Sequence, residues 1–255
     1  MSLARALAFN IVFWVGTVIF GIAGLPFLLT PRRTAMRFGR FWAQAVLAAL
    51  KLLVGLDGEI RGRDKIPAGG CLIAMKHQSM WDTLILPPLL GDPAVVIKRE
   101  LQFVPFYGWY ATRAGSIFID RKGGGGALRR LIAAARRAIA MGRPVVIFPQ
   151  GTRTSPGLPA SEVPYHPGVA ALYRELAVPL VPAAVNSGLY WGRRAFMKRR
   201  GRIVLEFLEP IPPGLPRRQV METLETRIEA ATASLEREAN YPRSGNQSSP
   251  PLPII

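Results

Sequence analysis

Apolar positions along this 255-residue chain follow two patterns. From Ala6 to Leu29 the run is almost wholly apolar, and no charged residue interrupts it between Arg5 and Arg32. That length exceeds the roughly 20 residues that cross a hydrocarbon core, so it predicts a helix attached to a membrane, crossing it as the first reading. Gly16, Gly21, Gly24 and Pro26 leave room for the second reading, a helix that breaks and dips into one leaflet. No small-x-small cleavage pattern follows the run, which argues against a signal peptide. Residues 41–56 form a shorter apolar stretch that carries Gln44 and Lys51.

Beyond residue 57 short apolar runs alternate with amphipathic ones. Residues 58–62 read as an edge strand, and 71–75, 94–98, 116–119, 145–148, 180–185 and 203–207 read as further strands. Leu128, Leu131, Ile132, Ala135 and Ile139 recur at helical spacing, with Arg129, Arg130, Arg136 and Arg137 on the other face. Residues 168–176 and 217–238 are helical as well. This alternation predicts an α/β fold: a mixed, mainly parallel sheet flanked by helices, behind an N-terminal helical membrane anchor. The expected division is 1–57 for the anchor, 58–239 for the α/β domain, and 240–255 as a disordered tail rich in Pro, Ser and Gly.

Charge narrows the partners. Lysine and arginine number 33 against 16 acids, a net +17 that favours polyanions. The apolar run selects anionic membrane lipids among them, and no recognition motif supports nucleic acid. Arg32, Arg33, Arg37 and Arg40 follow the run, whereas only Arg5 precedes it, which places the body on the cytoplasmic side of the cell membrane. Arg193–Arg202 adds six more positive charges around Phe196 and Met197, suited to lipid headgroups or to an acidic carrier protein. The single cysteine, Cys71, lies in an apolar strand and reads as an inert buried thiol.

The chain has two histidines, and His77 stands at the end of a predicted strand with Asp82 five residues on. Such a pair can act as a base and the acid that orients it. Ser79-x-x-Asp82 also fits a helix cap, so Asp82 has a structural reading beside the chemical one. Two candidate ligands at this spacing, with no other histidine or cysteine pair, do not make a metal site. Two further blocks are strands that end in turns, Gly115-Ser-Ile-Phe-Ile-Asp-Arg121 and Phe148-Pro-Gln-Gly-Thr-Arg153. A third, Val178-Pro-Leu-Val-Pro-Ala-Ala-Val-Asn186, is an apolar run punctuated by prolines that reads as an edge or buried strand. Gly151, Thr152 and Arg153 can cradle an anion. Lys98 ends another strand. His166 has no nearby acid in sequence and reads as a turn residue. Gly123–Gly126 lacks the Gly-Lys-Ser/Thr ending of a phosphate loop and reads as a flexible connector. Phe103, Phe106, Tyr107, Trp109 and Tyr110 read as core packing.

In this order and spacing the four blocks resemble the glycerolipid acyltransferases of the lysophosphatidic acid acyltransferase type, over residues 71–185. The resemblance implies acyl transfer to the free hydroxyl of a lysophospholipid acceptor, 1-acylglycerol-3-phosphate first among them, giving phosphatidic acid. It implies His77 and Asp82 as the catalytic pair and Arg153, Arg121, Gly151, Thr152 and Lys98 around the acceptor phosphate. The acyl donor is acyl-CoA or an acyl carrier protein, with no cofactor. Gln150 stands where the family has glutamate, and its role is open. Another lysolipid acceptor is the rival within the class, and a non-catalytic basic protein of the membrane surface is the rival outside it. No Gly-x-Ser-x-Gly elbow is present, so the acceptor hydroxyl itself is the expected nucleophile.

Overall fold

Successive strand residues face opposite sides of a sheet, so runs apolar at every position need cover on both faces. The computed structural model describes residues 3–121 and 123–240 and shows that cover. Seven strands form one sheet in the order β1-β7-β6-β2-β5-β3-β4. They are β1 (Leu56–Arg61), β2 (Leu72–Met75), β3 (Ala94–Lys98), β4 (Ile117–Ile119), β5 (Val145–Ile147), β6 (Leu180–Val185) and β7 (Gly201–Phe207). β6, β2, β5, β3 and β4 run parallel; β7 is antiparallel to β6, and β1 parallel to β7 at the edge.

Cys71, Ile73 and Met75 enter one core, with α1 (Leu3–Ala23), α2 (Arg32–Ala49), α3 (Trp81–Leu84) and α4 (Leu86–Leu90). Leu72 and Ala74 enter the other, beneath α6 (Gly124–Ala140), α7 (Gly168–Leu176) and α8 (Arg217–Asn240). Cys71 is fully buried, and desolvation pushes its thiol up to about 11, so it is an inert core group. The glycine run expected as a connector is instead the first turn of α6, whose Leu131, Ala135 and Ala138 pack inward. α8 extends to Asn240; the rest of the expected tail, residues 241–255, lies outside the described residues.

The N-terminal helices lie along the body. Near the start of α1, Phe9 meets Trp191 edge-on at 5.7 Å, and Lys198 donates to Asn10 Oδ1 at 2.7 Å. Near its end, Gly21 lets the Phe106 ring approach closely, and the Tyr110 hydroxyl donates to Gly21 O at 2.9 Å. Tyr107 and Arg113 bound the short helix α5 (Tyr107–Arg113) in between. Phe103 is 73% exposed, and Tyr107 and Trp109 are exposed too; only part of that aromatic cluster packs, and it packs on α1. Helix α2 begins at Arg32, so the arginines expected between two apolar segments belong to the helix. Arg32 pairs with Asp92 at 2.5 Å and Arg40 donates to Gly91 O at 2.8 Å, fastening α2 to the body.

Parallel strands place their C-terminal ends on one edge, where open α/β sheets hold their sites. His77, Lys98, Arg121, the turn after β5 and Ser187 all collect there. Because β7 is antiparallel, the basic loop that leads into it opens on the same edge.

Candidate active site

His77 follows β2 directly, with its side chain 12% exposed and its ring stacked on Phe148 at 4.1 Å and 22°. Nδ1 lies 2.9 Å from Asp82 Oδ2. An ionised carboxylate only accepts, so Nδ1 carries the proton and Nε2 keeps its lone pair. Asp82 is fully buried, and an unpaired carboxylate there would cost several kcal/mol. The backbone meets that charge: Gln78 N and Ser79 N donate to Oδ2 at 2.7 and 2.8 Å. On the other oxygen, Ser187 Oγ donates to Oδ1 at 2.5 Å. The cap of α3 is Met80, without a side-chain bond, and not Ser79 as expected; Ser79 Oγ still accepts from Trp81 N at 3.0 Å while Asp82 accepts from Ser79 N. These bonds hold Asp82 where it meets His77.

β5 is the neighbour of β2, and its turn is tied to the histidine. Thr154 donates to His77 O through its backbone N–H at 2.9 Å and its hydroxyl at 3.3 Å. Gly151 closes the turn, its N–H bonded to Phe148 O at 2.9 Å, with φ +63°, where a side chain would strain the backbone. A Cβ there would also run into Arg121, whose Nη2 donates to Gly151 O at 2.7 Å. Arg153 is half-buried, and among the described residues its guanidinium has no hydrogen bond or salt bridge. Desolvation pulls its proton affinity down, and the Asp82 charge opposes that, with Arg193 adding to the lowering. A half-buried cation without a partner is suited to an anionic ligand. Thr152 sits beside it with no hydrogen bond of its own among the described residues.

Lys98 and Arg121 end neighbouring strands on the same edge, and His166 joins them. The imidazole of His166 is lowered first by desolvation and then by the cations Arg121 and Lys98. It does hold a turn, through its N–H to Pro149 O at 2.9 Å, but its ring belongs to the cationic group. Gln150 is not in that group. It is buried, and its Nε2 donates to Val163 O at 2.9 Å. A glutamate carboxylate could not donate that bond, by which the amide braces the loop after β5.

Residues 58–186 match the Acyltransferase family model. The chain is 35% identical to the 1-acyl-sn-glycerol-3-phosphate acyltransferase of Pseudomonas aeruginosa, over 74% of this chain and 71% of that protein. The chain belongs to the acyltransferase family. Its sequence is also 25% identical to the 1-acyl-sn-glycerol-3-phosphate acyltransferase of Saccharomyces cerevisiae, over 83% of this chain and 71% of that one. The crystal structure of the 1-acyl-sn-glycerophosphate acyltransferase PlsC from Thermotoga maritima shares the fold, with a TM-score of 0.72 and 18% identity, covering 92% of this chain and 97% of that one. Three of the four sequence blocks of this acyltransferase thus end on one sheet edge, while Val178–Pro182 leads into β6 from the opposite end. Sequence reading missed Ser187, Phe148, Thr154 and the placement of His166. Ser187 gave no signal, being one residue past the matched stretch.

Proposed function

We propose that this acyltransferase moves a fatty acyl group from an acyl thioester to the free hydroxyl of 1-acylglycerol-3-phosphate, giving phosphatidic acid. The observation that carries the reading is the His77–Asp82 bond of 2.9 Å, which turns Nε2 away from Asp82, with the Arg153 guanidinium within electrostatic reach of that carboxylate. His77 Nε2 takes the proton of the acceptor hydroxyl as its oxygen attacks the thioester carbonyl. Asp82 stabilises the imidazolium that forms. The tetrahedral intermediate then expels the thiolate, which recovers the proton from His77. Proton and electron pair balance within these steps, so the chemistry calls for no cofactor.

The phosphomonoester of the acceptor fits Arg153, with Gly151 and Thr152 shaping the turn and Arg121 and Lys98 adding positive charge. The donor is acyl-CoA or an acylated carrier protein. Helix α1 is long and apolar enough to cross a membrane. Contacts to the body near both its ends favour an in-plane seat, with exposed Leu7, Ile11, Trp14, Val18 and Ile22 in the lipid. Arg193, Arg194, Arg199 and Arg200, exposed around Phe196 and Met197, extend that seat toward anionic headgroups on the cytoplasmic face.

The test offers the enzyme several lysolipids with a single acyl-CoA. The highest kcat/KM is expected for 1-acylglycerol-3-phosphate. A preference for an acceptor without a phosphomonoester overturns the assignment.

A further inference from the structure

We infer that Ser187 is a positioning residue for acyl transfer, its buried hydroxyl fixing the plane of the Asp82 carboxylate that orients His77. The inference rests on the His77–Asp82 pair being the base and its orienter. Three donors converge on Asp82 Oδ2, namely His77 Nδ1, Gln78 N and Ser79 N. All three come from the same short segment as Asp82 and move with it. Bonds to one oxygen leave the carboxylate free to pivot about that oxygen. Among the described residues, Ser187 is the donor that meets Oδ1, at 2.5 Å and across 105 positions of sequence.

Ser187 is itself held rigidly. It opens the 3-10 turn Ser187–Leu189 just after β6, and it is fully buried. Its carbonyl accepts from Tyr190 N at 3.1 Å and Trp191 N at 2.9 Å. The preceding Asn186 spans two elements, accepting from Val204 N at 2.8 Å and donating to Leu235 O at 3.2 Å. The next residue, Gly188, donates to Gln78 Oε1 at 3.0 Å, and Gln78 Nε2 donates to Glu236 at 2.7 Å. The turn thus grips the His77–Asp82 loop at two points, and the Ser187 grip lies on a reacting pair's own carboxylate. A hydroxyl placed only for packing would not need to donate to the one buried anion of the site.

The experiment compares Ser187→Ala, which removes one oxygen, with the parent enzyme and repeats the comparison in an Asp82→Asn background. Acyl transfer from acyl-CoA to 1-acylglycerol-3-phosphate is followed with a radiolabelled acyl chain, and folding by thermal unfolding. Loss of a hydrogen bond to a charged group predicts a fall in kcat of about 10- to 100-fold, with acceptor KM unchanged. In the Asp82→Asn background the further loss should be small, because the carboxylate through which Ser187 acts is gone. An unchanged kcat, or an equal loss in both backgrounds, overturns the inference. His77→Ala separates the two readings: if that variant stays active the base assignment fails, whereas a silent Ser187→Ala beside an inactive His77→Ala sinks only this one.

Discussion

Lys76 and Asp82 are buried charges at the two sides of one sheet edge, 2% and 0% exposed, and they are stabilised in opposite ways. Lys76 turns to the α8 face, where its ammonium meets both oxygens of Glu229 at 2.7 and 2.8 Å. Tyr165 completes that group by donating to Glu229 at 2.8 Å, its phenol pushed far up by desolvation and then by the Glu229 charge. Lys76 and Glu229 neutralise each other there. Asp82 turns to the other face and is met by neutral donors and by one imidazole. Neutral donors hold an anion without cancelling it, so its field remains available to an imidazolium formed during reaction. One residue apart in sequence, Lys76 is tied into an ion pair and His77 is the base of the proposed reaction.

Asp82→Asn should sharpen the contrast most. It keeps the shape of the pocket and removes the charge, and it should lower kcat on the order of 10³–10⁴-fold with the thermal midpoint little changed. Steady-state kinetics beside a melting curve checks both halves. Glu229→Ala should do the reverse, since it strands the Lys76 ammonium. A loss of about 3–5 kcal/mol in unfolding free energy is expected, with activity per folded molecule retained. Adding Lys76→Met to that variant should recover much of the stability, which denaturant titration would read.

Arg153→Ala belongs to the reactive side but acts on binding. Acceptor KM should rise about tenfold or more while donor KM holds, which an acceptor titration at saturating acyl-CoA separates. The smallest effect concerns a third buried charge, Lys198, which lacks a carboxylate partner among the described residues. It rests on Asn10 Oδ1, Phe196 O and the faces of Phe9 and Trp191, and desolvation brings it from its ordinary 10.5 to about 8. The folded state then binds fewer protons than the unfolded one between those values. Stability should therefore rise with pH from about 8 to 10.5 and be at its lower plateau below 8. Thermal midpoints across that range should show the slope, and Lys198→Met should flatten it.

The alternation of strands and helices, the sheet edge and the His77–Asp82 pair were legible in sequence because each rests on local spacing. The turn that carries Gly151 and Arg153 was legible for the same reason. Ser187 was not, because its partner is brought to it by β6 lying beside β2, an adjacency that periodicity does not encode. His166 shows the same gap: no acid or base neighbours it in sequence, yet the turn after β5 sets it near Arg121 and Lys98. The aromatic cluster misled in the other direction. Its composition suits a core, but Phe103 and Trp109 face outward. The four arginines after the first apolar run were read only for the side of the membrane they mark, whereas Arg32 and Arg40 are bound to the loop before β3.

The central claim is that proton transfer at His77 drives the reaction. Its most direct test is release of free CoA from acyl-CoA by His77→Ala with 1-acylglycerol-3-phosphate as acceptor, alongside melting and vesicle sedimentation. A rate loss on the order of 10²–10⁴-fold is predicted, with folding and vesicle binding intact. A folded, vesicle-bound His77→Ala that releases CoA at the parent rate would contradict the account.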